Sequence, residues 1–365
     1  MPSLDSLPDE LRLLIVQHAK GDDHVGRHYC SRNPVISALY RTSQSWRRLC
    51  RDAVWEHVKV DTDSKAAVRC LAAGVELNGK RIRQLDIHLE VSRQTALYPQ
   101  LAMSMAAMRN LESINILAES AADFAIGPLL SPVAHSRLLT NLELVIKAGG
   151  DYDLALVANL IKTLPNVESI ELDYWPQDGN NGRDAQACID AMMSRPRLHT
   201  LALIGEYGCA ALAKSRKPTA PIRCLLVSSD HTDEDFYFEA LERFLPRIAS
   251  ILEQLVVVSD ESFPSTTRPF QLPHLRQLTI ATESHTDVEL FAACPLEKVA
   301  LAVRYGSGDY SWPIQQLERV YIAHSPPVLQ EVSFERDDDV RAWCDSRRIR
   351  FEVQDESLRY THLGF

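Results

Sequence analysis

One short cluster of side chains in the sequence has the composition of a metal site. Asp23, His24, His28 and Cys30 lie close together, with Gly26 between the two histidines. Histidine and cysteine are the usual ligands of zinc, but a structural zinc site needs four ligands and commonly draws on paired cysteines. No second pair of cysteines accompanies this cluster. We therefore interpret it as a polar loop, predict no metal and no cofactor, and keep a metal-assisted hydrolase only as a third alternative.

The motifs of common catalytic sites do not occur in the sequence. Gly306 and Gly308 lie in a GSGD stretch that lacks both the GxGxxG spacing and the following lysine of phosphate-binding loops. Neither G-x-S-x-G nor H-E-x-x-H is found. The twelve histidines are dispersed, and a catalytic triad assembled in space stays open as a further enzymatic alternative. The sequence predicts a binding protein rather than an enzyme.

Composition and charge restrict the partners and the compartment. The 365 residues are 45% hydrophobic and 24% charged, with a net charge of -10. This acidic balance argues against nucleic acid as a partner, because binding to phosphates depends on cationic side chains. No apolar run approaches the roughly 20 residues that span a bilayer. The eight cysteines are scattered, as in proteins of a reducing compartment, and the N-terminus is acidic where a signal peptide is basic. We predict a cytoplasmic or nuclear protein without a membrane or nucleic-acid partner.

The first 60 residues have the spacing of three short helices. Over residues 4–18 apolar side chains recur every three or four positions, and Ser6 with Asp9 fits a capping box. Two further amphipathic stretches surround Leu39 and Trp46. Three helices of this size form only a small core, which is more stable when it packs against another surface.

This segment resembles an F-box. The resemblance is carried by LPDELRLLIVQHA at 7–19, ISALYRTSQSWRRL at 36–49 and AVWEHVKV at 53–60, while residues 20–33 are longer than the usual link in that family. It implies docking on the Skp-type adaptor of cullin–RING ubiquitin ligases by helix-in-groove recognition. The positions that match the docking residues of the family are Leu7, Pro8, Leu11, Ile15, Leu39 and Trp46. The alternative is that these apolar side chains only close a local core.

From residue 82 onward, apolar residues recur at the first, fourth and sixth positions of a short phrase. Successive phrases begin 21 to 31 residues apart, except for a last interval of 12. The eleven phrases are Ile82-Leu85-Ile87, Leu111-Ile114-Ile116, Leu139-Leu142-Leu144, Val167-Ile170-Leu172, Leu198-Leu201-Leu203, Ile222-Leu225-Val227, Leu252-Leu255-Val257, Leu275-Leu278-Ile280, Leu296-Val299-Leu301, Leu317-Val320-Ile322 and Leu329-Val332-Phe334. Proline lies one or two residues before six of them, which is compatible with a helix that ends just before each strand.

The repeats resemble the leucine-rich repeats that often follow an F-box, although the usual Asn or Cys after the third apolar position is absent. We predict an α/β solenoid of this type, a horseshoe with parallel strands on its concave face and helices outside, preceded by a small all-α F-box-like module. The expected divisions are the module at 1–60, a linking segment at 61–80 with a helix over 64–77, the solenoid at 81–335, and a C-terminal cap and tail at 336–365. Within the cap we expect a helix over 338–346 and a strand over 349–353.

In such a repeat, the residue between the last two apolar positions faces the concave side. The predicted target-binding residues at or beside this position are Asp86, Asn115, Glu143, Glu171, Asp173, Leu226, Val256, Val258 and Tyr321. The early ones are acidic or polar and the middle ones apolar, which is typical of a protein or peptide site. The alternative is that the chain covers this surface itself, with the loop 259–273 or with the tail 354–365, which carries Tyr360, Leu363 and Phe365.

Together these patterns predict the substrate-recognition subunit of an SCF-type ubiquitin ligase. The F-box would dock on the adaptor, and the concave face would bind a protein target that the sequence does not identify. The alternative is a leucine-rich-repeat scaffold that binds proteins and has no ligase role, with its first helices serving as an N-terminal cap.

Overall fold

The structure is a computed structural model, and it describes sixteen stretches of the chain. They are residues 7–21, 34–62, 65–89, 98–118, 129–133, 136–146, 154–174, 182–205, 211–215, 218–229, 234–259, 263, 267–281, 285–301, 312–334 and 337–353. The chain divides into two units, Met1–Val167 and Glu168–Phe365. In each unit parallel strands alternate with helices, which is the arrangement of an α/β repeat protein.

The first unit begins with three packed helices and continues into a parallel sheet. Its elements are α1 (Asp9–Gly21), α2 (Pro34–Thr42), α3 (Gln44–Glu56), β1 (His57–Asp61), α4 (Lys65–Asn78), β2 (Gln84–Leu89), α5 (Tyr98–Ala106), β3 (Ser113–Ala118), β4 (Asn141–Ile146) and α6 (Leu154–Thr163). Single 3-10 turns occupy Gly79–Arg81 and Ser131–Val133. Strands β1 to β4 pair in parallel, each with the next strand along the chain.

The second unit repeats this plan. Its elements are β5 (Ser169–Tyr174), α7 (Gly182–Met193), β6 (Thr200–Ile204), β7 (Cys224–Ser229), α8 (Glu234–Ile248), β8 (Gln254–Ser259), β9 (Gln277–Ala281), a 3-10 helix (His285–Phe291), β10 (Lys298–Leu301), α9 (Trp312–Ile322), β11 (Glu331–Phe334), α10 (Asp338–Arg347) and β12 (Arg350–Val353). Strands β5 to β12 also pair in parallel and in chain order. The helix and the strand expected in the cap are α10 and β12.

The recurring apolar phrase forms strands in ten of its eleven occurrences. Its last two positions point to the same side of a strand, because side chains alternate along an extended backbone. Leu85 and Ile87 on β2 are both fully buried, and so are Leu255 and Val257 on β8. The sequence-based prediction of a parallel α/β repeat is therefore confirmed.

The phrase Leu317-Val320-Ile322 is the exception, and its assignment to a strand was wrong. These residues lie in α9, where Leu317 and Val320 are buried while Ile322 is 64% exposed. Residues three apart also share one face of a helix, so the first half of the phrase is compatible with either structure. The helix continues the repeat between β10 and β11, and the short interval of 12 residues is not a repeat.

Strand β1 extends the sheet into residues that the sequence analysis assigned to the helical module. Trp55, Val58 and Val60 have the same spacing as the later phrases, and β1 pairs with β2 from His57 to Asp61. Because the phrase directly follows an amphipathic helix, its strand character was hidden in the sequence. The helix expected over 64–77 is α4, which follows β1.

The turns before most of the strands are held by a repeated pair of backbone hydrogen bonds. The carbonyl of Arg83 accepts from the amides of both Glu112 and Ser113, and the carbonyl of Arg223 accepts in the same way from Glu253 and Gln254. Charged side chains recur at several of these turns, and Arg83 Nη1 contacts Glu112 Oε1 at 2.8 Å. Exposed ion pairs of this kind contribute at most about 1 kcal/mol each. The paired backbone hydrogen bonds and the burial of the apolar phrases therefore stabilise the strand register more than the exposed ion pairs do.

The helical module is joined to the first repeats through α3. The indole of Trp55, near the end of α3, packs directly on the backbone of Gly74 in α4. Nearby, Arg81 Nε contacts Asp52 Oδ1 at 2.5 Å, and the amide of Arg83 donates to the carbonyl of Glu56 at 2.9 Å. Because α3 runs straight into β1, the module and the sheet share a continuous backbone at this point.

Substitution of Gly74 by alanine is expected to destabilise the first unit by about 1–3 kcal/mol, the usual cost of overpacking. A methyl group at this position would overlap the Trp55 ring, with Cζ2 and Cζ3 at 2.9 Å. Urea unfolding followed by circular dichroism measures the change. The matched test is a double-mutant cycle with Trp55→Leu, whose smaller side chain makes room for the methyl group. The loss of unfolding free energy in the double variant is then expected to be smaller than the sum of the losses in the two single variants. Additive penalties would contradict the proposed contact.

Candidate functional site

Helix α1 carries apolar side chains that its own module does not bury. Leu11 is 47% exposed and Leu14 is 57% exposed, and both lie on one side of the helix. Pro8 is exposed at the start of the same helix, while Leu7 and Ile15 are half-buried. Leu13 is 44% exposed but lies on roughly the opposite side from Leu11. Leu11 and Leu14 form an exposed stripe, which we call the α1 stripe. It was only partly predicted, since Leu14 was not among the expected docking residues.

The other two predicted docking residues lie in the core of the module. Trp46 is fully buried and packs with Val16, Leu39 and Cys50. Leu39 and Trp46 therefore contribute to the local core of the module. They shape the module from inside, whereas Leu11 and Leu14 on α1 are exposed.

Further contacts fix α1 and α3 in place. The Arg12 guanidinium lies over the Trp46 ring at 5.8 Å from its centroid and also contacts Asp9 at 2.9 Å. A hydrogen bond joins Arg12 to the Ser45 hydroxyl of α3. At the start of α3, the hydroxyl of Ser43 accepts from the amide of Trp46, which is the usual N-cap. These contacts involve the other side of α1, so Leu11 and Leu14 of the α1 stripe remain exposed.

The predicted target-binding residues of the strands lie on one face of the sheet. We call this the front face. It is the side of each strand opposite to the buried last two apolar residues of its phrase, which are Leu85 and Ile87 on β2. In the first unit the pairing register aligns Lys59, Asp86, Asn115 and Glu143 in one row. In the second unit it aligns Glu171, Ala202, Leu226, Val256, Thr279, Ala300, Ser333 and Glu352. Lys59 and Glu352 were not predicted, because neither belongs to a recognised phrase.

Polar and charged groups converge on the front face of the first unit. The carboxylate of Asp86 is buried, and its Oδ2 lies 2.6 Å from His57 Nε2 and 3.9 Å from Lys59 Nζ. Its Oδ1 accepts a hydrogen bond from Gln84 Nε2 at 3.3 Å. A buried carboxylate needs such partners to offset the loss of hydration. The sequence predicted that Asp86 faces this side, but it did not predict the contacts of Asp86 with His57 and Lys59 on β1.

The front face of the second unit is apolar at its centre. Ala202, Leu226 and Val256 form a buried cluster, with Ile204 and Val258 packed against it. Glu171 and Asp173 on β5 are in register with Ala202 and Ile204, so acidic residues border this cluster. The predicted change from acidic to apolar residues thus occurs within this unit.

Tyr321 lies elsewhere, because it belongs to α9 and not to a strand. Its ring meets Trp343 of α10 edge-on, with centroids 6.0 Å apart. The Arg347 guanidinium lies over both rings, at 4.6 Å from Trp343 and 5.6 Å from Tyr321, and it also contacts Glu318 at 2.6 Å. Tyr321 therefore helps to pack α9 against α10.

The described part of the loop 259–273 is anchored among aromatic side chains. The Phe263 ring lies 4.3 Å from that of Phe238 on α8, and Phe270 stacks on Phe291 at 4.8 Å. The amide of Phe263 donates to the carboxylate of Asp287. These anchors join the loop to helices rather than to the front-face residues. The other proposed cover, the tail 354–365, lies outside the described residues.

The described residues contain no group of three His, Cys, Asp or Glu side chains that could hold a metal ion. The cluster from Asp23 to Cys30 and the glycines at 306 and 308 lie outside the described stretches. Burial raises the pKa of Cys188 and Cys224 to about 12 and that of Cys294 to about 11, so these thiols stay protonated at neutral pH. Over the same stretches, no helix is both long and apolar enough to cross a membrane.

No protein-family model matches the sequence, and no curated protein matches it either. The features of the described chain that bear on function are therefore the exposed α1 stripe and the front face.

Proposed function

We propose that this chain is the substrate-recognition subunit of an SCF-type cullin–RING ubiquitin ligase. In this proposal α1 to α3 are an F-box that docks on the Skp-type adaptor, and the repeats are of the leucine-rich type. The front face, as their concave side, holds a protein target. The proposal combines the residues at 7–19, 36–49 and 53–60 with two separate surfaces in the described chain.

The observation that carries the proposal is the α1 stripe. Leu11 and Leu14 are half-exposed on a helix whose other side is already packed against Trp46. Exposed leucines at this spacing are the anchors of helix-in-groove recognition, where each fills an apolar pocket of the partner. An adaptor groove would remove these side chains from water, which stabilises a complex by about 25 cal/mol per Å² of apolar surface.

The front face supports the second half of the proposal. Each unit presents partly exposed acidic residues on this face, Glu143 in the first unit and Glu171 with Asp173 in the second, whereas the apolar cluster around Val256 is buried. The chain would then contribute to ubiquitin transfer by holding the target near the ligase, which raises its effective concentration without chemistry by the chain itself.

A repeat scaffold without a ligase role is the second candidate. The observation that favours it is the close joint between α3 and the sheet, where Trp55 packs on Gly74. Terminal elements of repeat proteins often cap the stacked core in this way. In that case the three helices would protect the end of the sheet and would bind no adaptor.

A binding experiment separates the two candidates. The purified full-length chain is mixed with a purified Skp-type adaptor and examined by size-exclusion chromatography and isothermal titration calorimetry. The ligase proposal expects a one-to-one complex with a dissociation constant in the micromolar range or tighter. An adaptor that elutes separately and gives no heat of binding would exclude the F-box role and leave the scaffold.

A further inference from the structure

Helices α4 and α5 of the first unit leave large apolar side chains in water. Leu77 on α4 is 82% exposed and Met103 on α5 is 76% exposed, more than any other large apolar side chain that the structure describes. The two helices pack side by side, and the backbone at Gly79, just after α4, lies against the carbonyl of Ala107, just after α5. Exposed apolar surface on neighbouring elements is typical of an interaction site.

The outer side of α4 has the spacing of a coiled-coil helix. Its exposed uncharged residues follow one another at intervals of four, three and four positions, and they are Ala66, Cys70, Ala73 and Leu77. This spacing places them in one line along the helix, which we call the α4 seam. Because alanine and cysteine are small, the axis of a second helix can come close to that of α4.

Two opposite charges border the α4 seam. Arg69 and Glu76 are seven residues apart, so they lie on the same side of the seam, near its two ends. Both are exposed, and within the described stretches neither has an ion-pair partner. In paired helices, charges at these bordering positions select the partner and its direction. A positive charge at one end and a negative charge at the other are complementary to an identical helix that runs in the opposite direction.

We propose that this chain forms a homodimer in which the α4 seams of two copies pack antiparallel about a twofold axis. Leu77 then meets Ala66 of the second copy, and Cys70 meets Ala73. Arg69 meets Glu76 of the second copy, and the symmetry repeats this ion pair. A parallel arrangement would place each charge level with its own counterpart, which removes the attraction.

Helix α5 extends the same interface. Residues 98–108 contain no charged side chain, and a helix without a charged side is usually covered by protein all round. Since α4 and α5 end at the same level and run between parallel strands in the same direction, one twofold axis serves both helices. It brings Met103 of α5 close to Pro99 of the second copy, and both residues are exposed in the single chain.

The size of this surface predicts a weak dimer. The 14 residues of α4 extend over about 21 Å, and two adjacent helices are about 20 Å wide. Their footprint is roughly half of the about 800 Å² that each partner contributes to a stable complex. We therefore expect dimerisation that depends on protein concentration. Because α4 and α5 are separate from the α1 stripe and from the front face, the dimer does not depend on the proposed function.

Sedimentation velocity of the full-length chain tests the proposal. The sedimentation coefficient is expected to rise from that of a monomer to that of a dimer between about 1 and 100 μM. Leu77→Glu is expected to weaken dimerisation at least about tenfold, because it buries a charge in the seam. The matched control is Leu138→Glu, the same change at a 45% exposed leucine outside α4 and α5, which is expected to dimerise like the wild-type chain.

Charge reversal tests the direction of the helices. Arg69→Glu and Glu76→Arg each replace both ion pairs by like charges, so at low ionic strength each is expected to weaken the dimer at least about fivefold. The double variant restores opposite charges at both places, so its dimerisation is expected to return to the wild-type level. All these positions are exposed, so the melting temperatures measured by circular dichroism are expected to stay the same.

Three outcomes overturn the inference. One is a wild-type chain that stays monomeric at every concentration, which would leave the seam to a different protein. Another is a dimer that Leu77→Glu and Leu138→Glu weaken equally. The third is a double charge variant that dimerises no better than the single ones, which excludes the antiparallel arrangement. Adaptor binding is a separate measurement, so each of these outcomes leaves the proposed function standing.

Discussion

Leu11→Asp is expected to abolish binding of the Skp-type adaptor while leaving the fold intact. The side chain is half-exposed in the free chain, so aspartate is solvated there and costs little stability. In the complex the carboxylate would be buried in an apolar groove, and removing one apolar anchor alone costs about 2–4 kcal/mol. In calorimetry we expect the dissociation constant of Leu11→Asp for the adaptor to be at least about thirtyfold higher than that of the wild-type chain, since about 1.4 kcal/mol corresponds to each factor of ten.

Leu13→Asp is the matched control for this prediction. It makes the same change on the same helix at nearly the same exposure, but on roughly the opposite side from Leu11. Its adaptor affinity is expected to stay within about threefold of that of the wild-type chain, and Leu14→Asp is expected to behave like Leu11→Asp. Equal losses for Leu11→Asp and Leu13→Asp would mean that the α1 stripe is not the docking surface.

Trp46→Ala is expected to unfold the three-helix module. Trp46 is fully buried among Val16, Leu39 and Cys50, and deletion of a buried tryptophan typically costs about 3–5 kcal/mol. The loss of the ring also removes the stacking partner of Arg12. Hydrogen exchange with mass spectrometry should show that protection disappears over 34–56 and persists in the second unit.

Trp46→Phe separates packing from the polar part of the indole. The indole Nε1 is buried and has no hydrogen-bond partner among the described residues, so phenylalanine removes an unmet donor together with some volume. We expect Trp46→Phe to lose well under half of the stability that Trp46→Ala loses, and to keep adaptor binding. Weaker adaptor binding by Trp46→Phe, with unchanged hydrogen-exchange protection, would contradict this prediction. It would indicate that Trp46 contacts the adaptor directly.

The strands of this protein were largely predictable because burial recurs along the chain. Phrases such as Leu255-Val257 place two apolar side chains on one side of a strand, and the tertiary structure buries them completely. The two errors have different sources. Leu317 and Val320 satisfy the spacing of a helix as well as that of the phrase, whereas Val58 and Val60 directly follow a helix that masked them.

The candidate site was predictable in chemical type but not in detail. Asp86 and Asn115 were expected on one face, and the pairing register aligns them. The sequence contained no sign that His57 and Lys59 would meet Asp86, since these residues lie nearly thirty positions earlier in the chain. Residues so far apart come together only through the register of β1 against β2.

The sequence alone determined the kind of structure: parallel strands alternating with helices, each strand marked by its own apolar spacing. Only the tertiary structure decided which apolar residues remain outside. Leu11 and Trp46 look alike in a helical pattern, yet one is half-exposed and the other is fully buried. The physical reason is that periodicity selects a face of each element, whereas the packing of α1 against α3 decides whether that face meets the core or water.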